Sequence, residues 1–217
     1  MKRFMGVSLL ALCAAIPAQA GMVFGFTKIT NNAPNNISSQ LAVEVSDLGG
    51  GIVSFKVTNN VGTASNMAQI YWDETDSAMD LINFGTAGLS VVSGPGPVVD
   101  FSIGGTPAEL PGGNNAGPAF ESEFRVSADS PAPHHGLNHA SDSLTVSFSL
   151  VAGKTYADVL SYMNAGTLRL GSHVTGIGTT GQSDGYVTVP GTTVPAPAAI
   201  ALGAIGAAMA AAFRRSN

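Results

Sequence analysis

Three stretches of the sequence hold side chains with chemical reach. Asp73-Glu74-Thr75-Asp76, with Asp80 shortly after, puts four carboxylates into eight residues directly behind Tyr71-Trp72. Such oxygen-rich loops suit Ca2+, a hard cation that takes carboxylate and carbonyl ligands. The EF-hand pattern is not met, because no glycine stands at the turn position and no glutamate closes the loop, and a solvated acidic loop is the commoner use of such a run. Asp73, Asp76 and Asp80 are therefore the candidate Ca2+ ligands, and no other cofactor is expected.

The second stretch, His134-His135-Gly136-Leu137-Asn138-His139, offers three imidazoles in six residues. His134, His135 and His139 would serve zinc or copper if a carboxylate from elsewhere joined them. The helical HExxH arrangement is absent, and Pro131 and Pro133 just upstream make an exposed polar loop the default. His173 stands alone on the polar side of a strand. In the third stretch, Tyr71 and Trp72 suit a sugar-stacking platform beside acidic acceptors. Aromatic residues make up only 7% of the chain, however, and alternation puts Trp72 on one face with Ile70. A core role for Trp72 with Tyr71 the more exposed of the two is the favoured reading. No Gly-x-Ser-x-Gly, P-loop or reactive thiol accompanies the many acids and serines, so no catalytic residue is assigned.

The elements that hold these residues read as strands. From Val23 onward, short runs of β-branched and aromatic residues are separated by Gly, Asn, Asp and Pro, the pattern of an all-β sandwich or barrel. Leu41, Val43 and Val45 alternate with polar residues, Asp47-Leu48-Gly49-Gly50-Gly51 breaks the run, and Val53, Phe55 and Val57 resume it: a hairpin with one buried face. Further strands are expected at Met67 to Trp72, Gly88 to Val92, Val98 to Ile103, Glu121 to Ser127, Ser143 to Leu150, and around Leu168 to Leu170 and Tyr186 to Val189. One stretch has helical period. Tyr156, Val159, Leu160 and Met163 fall on one face, Thr155 and Asp158 can form a capping box, and Gly166 can close the end. Long Gly-, Pro- and Asn-rich loops are expected between Gly104 and Gly117 and between Asp129 and Ala140. The expected fold is an antiparallel β-sandwich, jelly-roll or Ig-like, over 21–189, with one short helix near 155–165.

Composition bounds the partners. Between Gly21 and Val194 lie all 14 acidic residues, against Lys28, Lys56, Arg125, Lys154 and Arg169, a formal charge of −9. That surface disfavours nucleic acid and anionic lipid. The only cysteine, Cys13, belongs to the apolar stretch of a signal peptide over 1–20, with Lys2-Arg3 ahead of it and Ala18-Gln19-Ala20 as the small-x-small cleavage pattern at Ala18 and Ala20. Leu12 before Cys13 does not fit lipidation. A mature body starting at Gly21 has no cysteine, so packing alone must hold it.

The C-terminal stretch carries addressing rather than chemistry. After a Thr/Pro-rich linker over 190–197 comes an Ala/Gly-rich apolar run of 16 residues, Ala198 to Phe213, then Arg214-Arg215-Ser216-Asn217. As a helix the run reaches about 24 Å at 1.5 Å per residue, short of roughly 30 Å of hydrocarbon. A buried core helix would also suit such a run, but Pro195 and Pro197 separate it from the body, and Arg214 and Arg215 would keep its end on the cytoplasmic side. The layout of Val194-Pro195-Ala196-Pro197, apolar stretch and basic end resembles the PEP-CTERM sorting signal of Gram-negative bacteria, with Ala196 where the motif usually has glutamate. The resemblance implies handling by an exosortase-type processing enzyme, transient residence in the inner membrane, and release to the cell surface or exopolysaccharide matrix. The body resembles one recurrent kind of PEP-CTERM surface protein through Pro111-Gly112-Gly113-Asn114, Ser127-Ala128-Asp129-Ser130-Pro131 and Tyr156-Ala157-Asp158-Val159, a likeness that brings no catalytic residues. The expected function is non-enzymatic, at the cell surface or in the matrix. A carbohydrate-binding module and an envelope hydrolase are the alternatives.

Overall fold

The computed structural model describes residues 21–74 and 80–190. The signal-peptide reading with Cys13, Ala18 and Ala20, the candidate ligand Asp76, and the sorting-signal residues Val194, Pro195, Pro197, Arg214 and Arg215 lie outside the described residues, as does the apolar run 198–213. Among the described residues, no helix is long and apolar enough to cross a membrane.

The described chain is all-β and antiparallel. Its strands are β1 (Met22–Lys28), β2 (Leu41–Gly49), β3 (Ile52–Asn59), β4 (Asn66–Glu74), β5 (Ile82–Val92), β6 (Phe101–Ile103), β7 (Phe124–Ala128), β8 (Ser143–Leu150), β9 (Leu168–Ile177) and β10 (Gln182–Thr188). A helical turn α1 (Ala132–His135) and a helix α2 (Tyr156–Ala165) complete it. The strands form one ten-stranded sheet in the order β5-β8-β3-β2-β1-β10-β9-β4-β7-β6. The sheet curls until it is nearly closed and barrel-like.

β1 makes the curl possible. Its first half pairs with β2, from Met22 opposite Val45 to Gly25 opposite Ala42, and its second half pairs with β10, from Phe26 opposite Thr188 to Lys28 opposite Tyr186. One short strand thus changes neighbours midway and turns the sheet's two halves towards each other. Phe24 and Phe26, on either side of the change, both point into the core.

The space between the halves is filled by aromatic rings. Phe55 of β3 and Phe148 of β8 meet Trp72 of β4 edge-on, at centroid distances of 6.0 and 5.5 Å. Phe148 also meets Phe124 of β7 at 5.1 Å, and Phe84 of β5 stacks on Phe124 at 5.4 Å. Branched aliphatics surround the rings: Val43, Val45, Val53, Val57, Val146 and Val174 are fully buried.

Local sequence explains the best-formed elements. In the β2–β3 hairpin, Val43 faces Val57 and Val45 faces Phe55, the alternation expected of one buried face. Its turn runs through Gly49, Gly50 and Gly51, with φ of 79°, 62° and 74°, which only glycine adopts without strain. α2 begins at a complete capping box: Thr155 Oγ1 accepts from the Asp158 N–H, and the Thr155 N–H donates to Asp158 Oδ2 at 2.8 Å. Gly166, left-handed, closes it. The helix expected near 155–165 is therefore present, and α1 is an additional helical turn in a region read as loop.

The expected loop between Gly104 and Gly117 is present and, with the residues just after it, packs onto the sheet. Leu110 and Phe120 fold back against the outer face of the half containing β4, β9 and β10, where they build a second small core with Tyr71 and Val187. The close approach requires Gly171 on β9, since a Cβ there would sit 2.7 Å from Leu110 Cδ2 and 2.9 Å from Phe120 Cζ.

Candidate functional site

β4 carries the residues that the sequence singled out, and both of its faces are covered: all nine of its residues are buried. Trp72 points into the space between the halves, as expected. Tyr71 does not lie at the surface. It is fully buried under the loop that carries Leu110 and Phe120, which corrects the expectation of an exposed ring. Its hydroxyl oxygen lies 3.0 Å from Gln69 Oε1 and 3.2 Å from the Pro107 carbonyl oxygen, two acceptors for its single proton. Burial raises its pKa far above the ordinary tyrosine value. Tyr71 and Trp72 therefore form no stacking platform.

Asp73 shares the loop-covered face of β4 with Tyr71. Its carboxylate pairs with Arg169 of β9, the residue directly opposite in the ladder, and accepts the Glu121 N–H at 3.2 Å. The same guanidinium donates to the carbonyls of Pro118 and Ala119, at 2.6 and 2.8 Å, and lies over the Phe120 ring at 5.3 Å. Burial pushes Asp73 above the usual carboxylate range, and Arg169 opposes that shift. The acid proposed as a Ca2+ ligand thus holds down the loop 118–121.

Glu74, next along, accepts the N–H groups of Leu81 and Ile82 at 3.2 and 3.1 Å. Burial pushes its pKa up to about 7, Glu123 and Asp80 add to the rise, and the two N–H bonds oppose it. Glu123 is raised too, chiefly by burial and then by Asp73 and Asp80. Asp80 is exposed. The carboxylates do gather at this end of β4, but among the described residues no three His, Cys, Asp or Glu side chains are arranged to hold a metal ion.

The histidine stretch separates into unlike environments. His134 is exposed and His135 half-buried on α1, while His139 Nδ1 lies 2.7 Å from Ser141 Oγ. The loop is organised by Asp142, a residue outside the expected sites. Its buried carboxylate accepts the N–H groups of Asn138, His139 and Gly94 at 3.0, 2.8 and 2.7 Å. Asp184, likewise outside the expected sites, does comparable work. It pairs with Lys28 at 2.9 Å and accepts from Thr30, Asn32 and Ala33. Burial acts to raise Asp184, but those partners outweigh it and leave the group below its ordinary value. The short spacing of Asp142 from Asn138 and His139 was a usable signal; nothing local in the sequence marks Asp184.

His173 is not isolated. Its Nδ1 lies 2.9 Å from Gln69 Oε1, and burial lowers its pKa. Gln69 in turn donates to the Thr106 carbonyl. Beside it opens a cleft of about 290 Å3, whose lining includes Gln69, Ser102, Thr106, Ser127 and Asp129. Several of its groups are already engaged: Ser127 donates to the Gly104 carbonyl at 2.7 Å and Ser102 to Asp129 at 3.1 Å. Asp129 is the single carboxylate in the lining, where paired acids of unequal pKa would be needed for glycoside hydrolysis. A larger cleft of about 480 Å3 lies where the described chain ends, between Lys28, Arg169, Thr188 and Pro190.

Comparison with known protein families, with curated proteins and with solved structures finds no match to this chain.

Two outcomes test this account of the β4 acids. Arg169→Met leaves Asp73 buried without its partner and is expected to cost roughly 3–5 kcal/mol in urea unfolding. Adding Asp73→Leu to it should return a large part of that loss, because no uncompensated charge remains. The second outcome concerns Glu74. A carboxyl whose folded pKa lies above its unfolded one binds more protons when folded, so its ionisation withdraws stability as pH rises from about 4.5 to about 7. Relative to Glu74→Gln, the natural chain should lose roughly 1–2 kcal/mol between pH 5 and pH 8, the figure being discounted for solvent screening.

Proposed function

We propose that this chain is a non-enzymatic, exported protein of the cell surface or exopolysaccharide matrix, sorted and processed through its C-terminal signal. The observation that carries the reading is the sequence of its last 24 residues, Val194-Pro195-Ala196-Pro197, an apolar run and Arg214-Arg215. On this reading the run 198–213 is an apolar helix that holds the chain in the inner membrane until an exosortase-type enzyme acts. The basic end stays on the cytoplasmic side. Exopolysaccharide is the expected surrounding of the released body.

The body supports a structural rather than catalytic role. Its buried charged groups are spent on fixing loops: Asp73 and Arg169 on 118–121, Asp142 on 94 and 138–139, Asp184 and Lys28 on 30–35. A fold without disulfides that must persist outside the cell needs such internal anchoring. The facing halves of the sheet fit the β-sandwich class.

Mass spectrometry of the C-terminus of the surface form from the native host tests the reading. The expected result is a C-terminus upstream of Arg214, with the basic end removed. An intact Arg214-Arg215-Ser216-Asn217 end on the surface form overturns it.

A further inference from the structure

The two ends of the sheet are unlike. β6 has three residues, while β5 has eleven and, among the described residues, pairs only with β8. Folded proteins blunt a free edge with charge, proline, shortness or a bulge, because its unpaired N–H and C=O groups accept another strand. β6 is blunted by being short. β5 has a bulge in its first half, where Asn83 to Gly88 is set against only Ser149 to Ser147, and Phe84 from that bulge is anchored on Phe124. From Gly88 to Val92 the ladder with β8 is regular, and this half has no proline and no charge. Ser90, Val91 and Val92 are exposed there, Val92 by 57%.

The charge pattern singles out this edge. No Asp, Glu, Lys or Arg occurs from Leu81 to Val99, nor anywhere in β8 behind it, although the body carries 14 acidic residues. Asp80 and Asp100, both exposed, bracket the neutral stretch in the chain.

We propose that the edge Gly88–Val92 pairs antiparallel with the same edge of a second copy, joining two sheets across a two-fold axis. Two bodies of formal charge −9 repel through acidic faces, and this edge is where they can meet without opposing charges. An antiparallel edge is its own complement under a two-fold rotation, since each strand offers the other the same alternation of donors and acceptors. A cationic partner would be drawn to the acidic faces instead. The inference concerns the body and does not depend on how the C-terminus is processed.

Cysteine cross-linking in the full chain tests it, with Cys13→Ser in every variant so that the introduced thiol is the only one. In the two-fold pairing Ser90 lies opposite its own copy with Cβ atoms about 4.5–5.5 Å apart, close enough for a disulfide after small adjustment. Mild oxidation of Ser90→Cys should give a reducible dimer at several times the yield from Leu48→Cys, an exposed control in the β2–β3 turn. Association through the C-terminal run raises both yields alike and leaves their ratio near one. Adding Val92→Lys to Ser90→Cys should lower the dimer yield several-fold, with far-ultraviolet circular dichroism unchanged. Equal yields from positions 90 and 48, or no effect of Val92→Lys, overturns the proposal; either is the result expected if the edge is covered by another segment of the chain or by a different protein.

Discussion

Everything else in the body hangs on the aromatic layer between the two halves of the sheet. No cysteine lies between Gly21 and Val194, so no covalent link holds those halves together. The change of partner along β1 brings them face to face but makes only a few ladder contacts of its own. Phe55, Phe84, Trp72, Phe124 and Phe148 supply the remainder. Phe148 alone meets Phe55, Trp72, Phe84 and Phe124 edge-on. Buried aromatics bring large apolar area, and edge-to-face pairs add about 0.5–1.5 kcal/mol each beyond it.

With the inner face secured, the outer face of β4 becomes the place where polar chemistry is put to structural use. The chain from Gly104 to Glu121 is rich in Gly, Pro and Asn, residues that favour turns over packing. It stays on the sheet because Leu110 and Phe120 fill the space above Tyr71 and Gly171, and because Arg169 grips its carbonyls while Asp73 neutralises the guanidinium. A buried ion pair gives little net stability against an apolar replacement, but it fixes geometry, since either partner alone would be costly. Asp184 acts on its own loop in the same way through Lys28, whereas Asp142 fixes its loop by accepting the N–H groups of Gly94, Asn138 and His139. The acidic composition thus has an internal use as well as the surface effect expected from it.

Much of the strand framework was legible in the sequence. The alternation of Leu41 to Val57 with three glycines between, the strand Ser143–Leu150 and the capped helix after Thr155 all rest on neighbours in the chain, and each is found where local pattern puts it. The environment of β4 was not legible. Period-two alternation shows that Tyr71 and Trp72 face opposite ways, but only the fold of residues 104–121 decides that both faces are buried. Asp73 is likewise explained by a partner 96 residues away, and an acid beside other acids reads locally as an ion loop. Composition signalled that 104–117 turns without indicating what it covers. The C-terminal signal is the reverse case, a feature read wholly from residue order.

Both halves of the sheet share one core, to which β4 contributes Ile70 and Trp72. Trp72, the only tryptophan, sits in that core and reports on it without modification. Urea unfolding followed in parallel by Trp72 fluorescence and by far-ultraviolet circular dichroism tests the claim most directly. A single transition with coincident midpoints is predicted, because the aromatic layer cannot open without parting the strands that carry it. A fluorescence transition completed at lower urea, with the strand signal intact, would contradict it.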